Sequence, residues 1–219
     1  QIIASNIFSV ISPIYFDQAY SVANNNLDSA ETGVVYAVGA DLSGKNFDNL
    51  NLQNAVFDKA DLSNTSFKNA NINGARFVFA NLDNSNLLDR TDLSNVNLAG
   101  TDLSNLSLKG KNLTGTILIG VDLSGKDFTG TDLSGTILAV TILKGVDLSG
   151  MDLTGTILRG TDLTNSILTG VDLSGMDLTG TILKGVDLSG MDLTGTILKG
   201  VDLSGMDLTG TILKGVDLS

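Results

Sequence analysis

Carboxylates are the groups in this sequence that recur regularly enough to do chemistry together. Asp and Glu number 24 against 13 Lys and Arg in 219 residues, and there is no His and no Cys. Asp132, Asp152, Asp172 and Asp192 stand twenty residues apart, each followed by Leu and then by Ser or Thr. Such a row can hold calcium, accept backbone N–H groups at turns, or present a negative field to a basic partner. The glycine–aspartate nonapeptide of calcium β-rolls is absent, which disfavours the first use. Without His or Cys the usual ligands of zinc, copper and haem are missing, and so are Ser–His and Cys–His nucleophile pairs. The recurrent GTILKG lacks the spacing of a phosphate loop. The expectation is therefore a non-enzymatic chain with no catalytic residue, no cofactor and no metal. A net charge of −11 opposes nucleic-acid binding and is compatible with a basic protein partner. The absence of Cys fits any compartment and excludes only disulfides.

A period of five positions these aspartates. Leu42, Phe47, Leu52, Phe57, Leu62, Phe67, Ile72, Phe77, Leu82 and Leu87 are spaced by five without a break. Leu93 follows Leu87 by six, and the spacing of five then resumes as far as Leu218. The extra residue lies within Leu88–Arg90 and predicts a bulge or a widened corner. Five matches neither the 3.6 of an amphipathic helix nor the 2 of a simple strand. The last position of each unit is mostly Asn in the early part and Gly in the later part. Both tolerate the positive φ of tight turns, while the flanking Thr, Val and Ile favour extended backbone. Each unit thus reads as a very short strand with an inward Leu or Phe, followed by a corner, and linked units make a β-solenoid.

ADLSG (40–44), ADLSN (60–64), ANING (70–74) and ANLDN (80–84) match A-(D/N)-L-x-x, and over 40–219 the chain resembles the pentapeptide-repeat family. The resemblance implies an all-β fold, a right-handed quadrilateral β-helix with four units, or twenty residues, per coil. About nine coils at an inter-strand spacing of about 4.8 Å would give a rod roughly 43 Å long. Three segments follow: a non-repeat segment 1–39, an Ala- and Phe-rich block 40–89, and a Gly-rich block 90–219 with Thr, Val and Met at the first position. That first position is Ala six times in the first ten units and never afterwards. The larger groups are expected to widen the coil or tilt outward.

Residues twenty apart then lie one above another. Phe47 over Phe67 and Phe57 over Phe77 are expected to stack as core filling. Asp132, Asp152, Asp172 and Asp192 form an outward column whose repulsion Asx-type turns would offset, since Asn71, Asn81, Asn97 and Asn112 occupy the equivalent position. In the TIL units Ile replaces this Asp. Ile117, Ile137 and Ile157 share a face with Ile197 further along; Ile142 and Ile182 share another, and Ile167 and Ile212 stand on the remaining two. Three neighbouring exposed Ile make an apolar stripe, read either as a docking surface or as a by-product of repeat duplication. VDLSGMDLTGTILKG occurs at 171–185, 186–200 and 201–215, so its TIL units visit three different faces, and this fifteen-residue period reads as duplication.

The segment before the repeats is apolar but broken by Ser5, Asn6, Ser9, Ser12 and Pro13, so no transmembrane span is expected. A short helix over 14–23 and a turn at 24–26 would cap the first coil. The first residue is Gln, not Met, which fits a processed leader and an exported or lumenal protein, with a cytoplasmic one as the alternative. At the other end the sequence stops inside a unit, VDLS. Either more chain follows, or an edge-to-edge homo-oligomer forms there. The function that best fits is a structural or scaffold solenoid offering flat faces to a protein partner in a larger assembly. The alternative, implied by the family's gyrase-protecting quinolone-resistance members, is an acidic DNA mimic that binds a topoisomerase such as gyrase. Lys144, Lys184, Lys199, Lys214 and the Ile rows are unlike DNA. Ice or mineral binding would need a uniform Thr face, which the alternation of Thr, Asp and Ile denies.

Overall fold

A computed structural model describes residues 34–219. The expected helix over 14–23, the turn at 24–26 and the cap they would form lie outside the described residues. Every fifth residue closes a turn, and the backbone there is left-handed at Gly or Asn, as at Gly44 (φ 68°) and Asn49 (φ 62°). Between turns, many units contribute one bridge-forming residue at the second position, and the bridges are parallel and, except at one widened corner, twenty residues apart, as in Asp41↔Asp61 and Asp61↔Asn81. Four five-residue units therefore make one coil, and coils stack as a β-solenoid. The pattern reaches one unit earlier than the spacing of large residues shows. Tyr36 bridges to Val56, and Ala37 occupies the inward centre where later units have Leu or Phe. A methyl group in that place hides the unit from a search for large apolar centres.

We number the four faces in chain order by their outward second positions. Face 1 carries Tyr36, Val56, Arg76, Asn97, Ile117, Ile137, Ile157, Asp177, Ile197 and Asp217, and face 2 begins at Asp41. Face 3 begins at Asn46, and face 4 at Asn51. The core is the column of central Leu and Phe together with the first positions. Phe47 stacks on Phe67 with ring centroids 4.8 Å apart, and Phe57 on Phe77 at 5.3 Å, as expected. The two stacks meet edge to face, which adds to the burial of their rings.

The extra residue is absorbed at a 3-10 turn, Asn86–Asp89, with the Ser85 side chain accepting from Leu87 N–H. The next bridge is then twenty-one residues long, Arg76↔Asn97. Two cations hold this widened corner. A guanidinium N–H of Arg90 donates to the Phe67 carbonyl at 3.0 Å, and Lys111 Nζ donates to the carbonyls of Leu88 (2.9 Å) and Arg90 (2.6 Å). Lys111 stands at an inward first position, and burial holds its pKa below the usual lysine value.

The large first positions of the second block do not tilt outward. Val146 is fully buried, and Met151, Met176 and Met191 pack partly buried against the core. Their effect lies between coils. At eight threonines (116, 131, 136, 141, 156, 161, 196 and 211) the hydroxyl donates to the central Leu carbonyl twenty-three residues earlier, at 2.7–3.0 Å. In each of these units the next residue also bridges to the coil below. Val and Met have no hydroxyl to give. Among the described residues, units opening with Val121, Val146, Met151, Val171, Met176, Val186, Met191, Val201 or Met206 make no such downward bridge. Val96 and Val216 do bridge without a hydroxyl. Clefts open along the unstitched seams, one lined by Met151, Asp152, Asp172 and Met176.

Candidate functional site

Asp132, Asp152, Asp172 and Asp192 stand on face 4 in successive coils, outward and exposed. Each accepts the backbone N–H two residues ahead: from Ser134 at 2.9 Å, Thr154 at 2.8 Å, Ser174 at 2.9 Å and Thr194 at 2.8 Å. The Ser174 hydroxyl adds a second bond to Asp172 at 2.7 Å. Asn71, Asn81, Asn97 and Asn112 accept the equivalent bond, so the acceptor, not the charge, is what the turn requires. The hydroxyls and N–H groups of Thr154 and Thr194 hold the Asp152 and Asp192 carboxyls below the ordinary aspartate pKa, while Asp132 and Asp172 beside them push the other way. The backbone N–H of Ser134 and the Ser174 hydroxyl do the same for Asp132 and Asp172. The carboxylates are thus engaged in their own corners. Among the described residues no cluster of His, Cys, Asp or Glu could hold a metal ion.

Face 1 differs. Bridges run Asn97↔Ile117, Ile117↔Ile137 and Ile137↔Ile157, which sets the three Ile side chains in one column, with Ile197 two coils beyond Ile157. Ile117, Ile137 and Ile197 are half-buried, and Ile157 is exposed. Ile142 and Ile182 share face 2, Ile167 is on face 3 and Ile212 on face 4, each apart from another Ile.

The apolar area of face 1 is wider than the Ile column. Ile119, at the fourth position of its unit, is exposed, and so is Val140 (62%), at a fifth position. Phe79, also at a fifth position, is 53% exposed, and its ring lies over the corner at Gly100, where a Cβ would come within 2.1 Å of it. Val78, Ala99 and Ala139 lie between them. The three units 96–100, 116–120 and 136–140 contain no charged residue. A Phe at φ 56° and a β-branched Val at φ 59° occupy the left-handed corner that Gly or Asn fills at most other units and Lys59 at one. For side chains of that shape the conformation costs roughly 1–2 kcal/mol, a strain of the kind that gathers at functional positions. A reading centred on second positions misses all three residues. The signal was present in GTILIG and TILAV, where Ile and Val replace the Lys, Ser or Gly of other units.

Ion pairs bound the stripe. Arg76 meets the nearly buried Asp58 at 2.7 Å at one end, and Arg159 meets Asp177 at 3.3 Å at the other. In the last described coil Leu213 and Leu218 are exposed. Among the described residues no helix is long and apolar enough to cross a membrane.

A model of pentapeptide repeats matches the chain in overlapping stretches that span 38–87 and 91–219. No curated protein matches. Among solved structures, a trypsin-treated variant of QnrB1, a plasmid-mediated fluoroquinolone resistance protein, is 22% identical, with 82% of this chain and 89% of that chain covered and a TM-score of 0.45. HetL, a pentapeptide-repeat protein involved in heterocyst differentiation regulation from the cyanobacterium Nostoc sp. strain PCC 7120, is 27% identical over 83% and 86% of the two chains, with a TM-score of 0.27. Rfr23, a pentapeptide-repeat protein from the cyanobacterium Cyanothece 51142, is 20% identical over 93% and 94%, with a TM-score of 0.17.

Proposed function

This chain belongs to the pentapeptide-repeat family, and on that premise we propose that it is a non-enzymatic scaffold whose face 1 docks protein within a larger assembly. Its finer architecture in this reading is a right-handed rod of about nine coils. The observation that carries the docking role is the uncharged patch formed by Phe79, Ile117, Ile119, Ile137, Val140 and Ile157. An apolar area framed by ion pairs, on a chain of net charge −11, has the anatomy of an interface core within a polar rim. Strained bulky residues at Phe79 and Val140 add exposed apolar surface where Gly would leave none.

Purification from the native source with a tag on the intact chain tests this reading. A partner is expected to travel with the wild type and with Asp152→Asn on face 4, and to be lost from Ile117→Glu and Ile137→Glu. Retention by the two face 1 variants would contradict it. The column Asp132, Asp152, Asp172 and Asp192 supports a second reading, an acidic mimic of DNA that binds a topoisomerase such as gyrase. In a supercoiling assay that reading requires inhibition by the wild type, weakened when the four aspartates are changed to Asn.

A further inference from the structure

The charge pattern along face 1 has a two-fold character. Consider two copies packed face 1 to face 1 with their rods antiparallel, related by a two-fold axis that lies in the interface, parallel to the strands and perpendicular to the rods. Second positions then oppose second positions, and fourth positions oppose fourth positions. With the axis between the coils of Ile117 and Ile137, Ile117 faces the other copy's Ile137, and Ile119 faces Ala139. Two coils further out, Arg76 faces Asp177, and beyond them Val56 faces Ile197. In the fourth-position column, Lys199 faces Asp58, the carboxylate that Arg76 already engages. The bulky fifth positions find room: Val140 faces Gly120, and Phe79, lying over Gly100, faces Gly180 and Gly160. Every contact occurs twice, as an isologous interface requires.

No neighbouring register does this. A shift of one coil either way sets Arg76 against Ile157 or Ile197, and Asp177 against Val56 or Asn97. Within each copy Arg76 keeps Asp58 and Asp177 keeps Arg159, so a shifted register leaves neither charge unpaired. What it forgoes is the joining of the two ion pairs into one network across the interface. From Tyr36 to Asp217 the face is roughly 43 Å long and at most about 16 Å wide, from spacings of about 4.8 Å per coil and about 3.3 Å per residue. That is roughly 700 Å² per partner, close to the about 800 Å² of a standard stable interface.

We propose that the occupant of face 1 is a second copy of this chain, seated antiparallel with Arg76 of one copy opposite Asp177 of the other. This rests on the reading of face 1 as a contact face and names its occupant. The complete absence of Cys gives a clean test. The wild type is expected to run in light scattering at twice the 22.7 kDa chain mass, and Ile137→Glu as a monomer. Full-length Arg76→Cys and Asp177→Cys chains, mixed under mild oxidation, are expected to cross-link at least tenfold more than either chain alone. A wild type that stays monomeric at tens of micromolar, a dimer indifferent to Ile137→Glu, or cross-linking no greater in the mixture would overturn the dimer. The contact-face reading falls separately, only if Ile117→Glu and Ile137→Glu also keep every native partner.

Discussion

At the residue scale the decisive difference is between threonine and valine at the first position of a unit. Both are inward and buried, and they have nearly the same shape, yet only Thr can donate to the carbonyl of the coil below. Thr141 Oγ1 donates to the Leu118 carbonyl at 3.0 Å, and around it Ile142 N–H and Leu123 N–H complete a backbone bridge. Thr141→Val is expected to cost about 1 kcal/mol, the net worth of one intramolecular hydrogen bond, and to speed hydrogen exchange at Ile142 and Leu123. Unchanged exchange there would show that the hydroxyl does not hold the seam. The outward aspartates make a second prediction. Their folded pKa values lie below the ordinary value because Ser and Thr donors favour the charged form. A depressed carboxylate contributes stability that is present above the unfolded value of about 3.9 and is lost as pH falls through the folded value. The melting temperature is expected to hold between about pH 5 and pH 7 and to fall below about pH 4. A melting temperature that rose on acidification would show that repulsion within the Asp columns outweighs their turn bonds.

At the element scale the fifteen-residue repeat acquires a structural consequence. TILKG units stitch downward through a bridge and a corner bond, as at Thr196, where Ile197 N–H donates to the Met176 carbonyl and Gly180 N–H to the Lys199 carbonyl. MDLTG units keep only the corner bond, as in Gly175 N–H to the Thr194 carbonyl. Because three units make a repeat and four make a coil, the stitched unit moves to a different face with each copy, although face 4 still runs from Asp132 to Asp192 without a bridge. Val146→Thr is expected to add a stitch to a seam that has none, raising the melting temperature by about 1–4 °C for about 0.5–1 kcal/mol. A lower melting temperature would mean that this seam cannot close. The widened corner offers the converse experiment. Lys111→Met removes the donor to the Leu88 and Arg90 carbonyls and is expected to cost about 1–3 kcal/mol in chemical denaturation, while an unchanged midpoint would make those bonds incidental. Much of this scale was legible in the sequence. The five-residue spacing gave the solenoid, the step from Leu87 to Leu93 gave the irregular corner, and the Asn/Asp exchange gave the turn bonds. The stitches were not legible, because a Thr reads equally as a β-branched strand former or as a donor until the coil beneath it is in place. The earliest unit was hidden by Ala37, too small to register as a centre.

At the scale of the whole molecule the described residues form four faces, and among them face 1 is the one with a contiguous apolar patch. The Ile117, Ile137 and Ile157 column could be read from residues twenty apart, while Phe79, Ile119 and Val140 could not. They sit at corner positions, and which corners adjoin is set by the twenty-one-residue step at Arg76↔Asn97. The central claim is that this patch is covered when the protein is at work, by a second copy or by another protein. Side-chain oxidative footprinting of the full chain tests it most directly, comparing the native assembly with purified Ile137→Glu. Phe79, Ile119, Val140 and Ile157 are expected to be protected several-fold in the assembly, while Ile182 on face 2 and Ile212 on face 4 react equally in both. Equal reactivity of the face 1 residues in the two samples would contradict it.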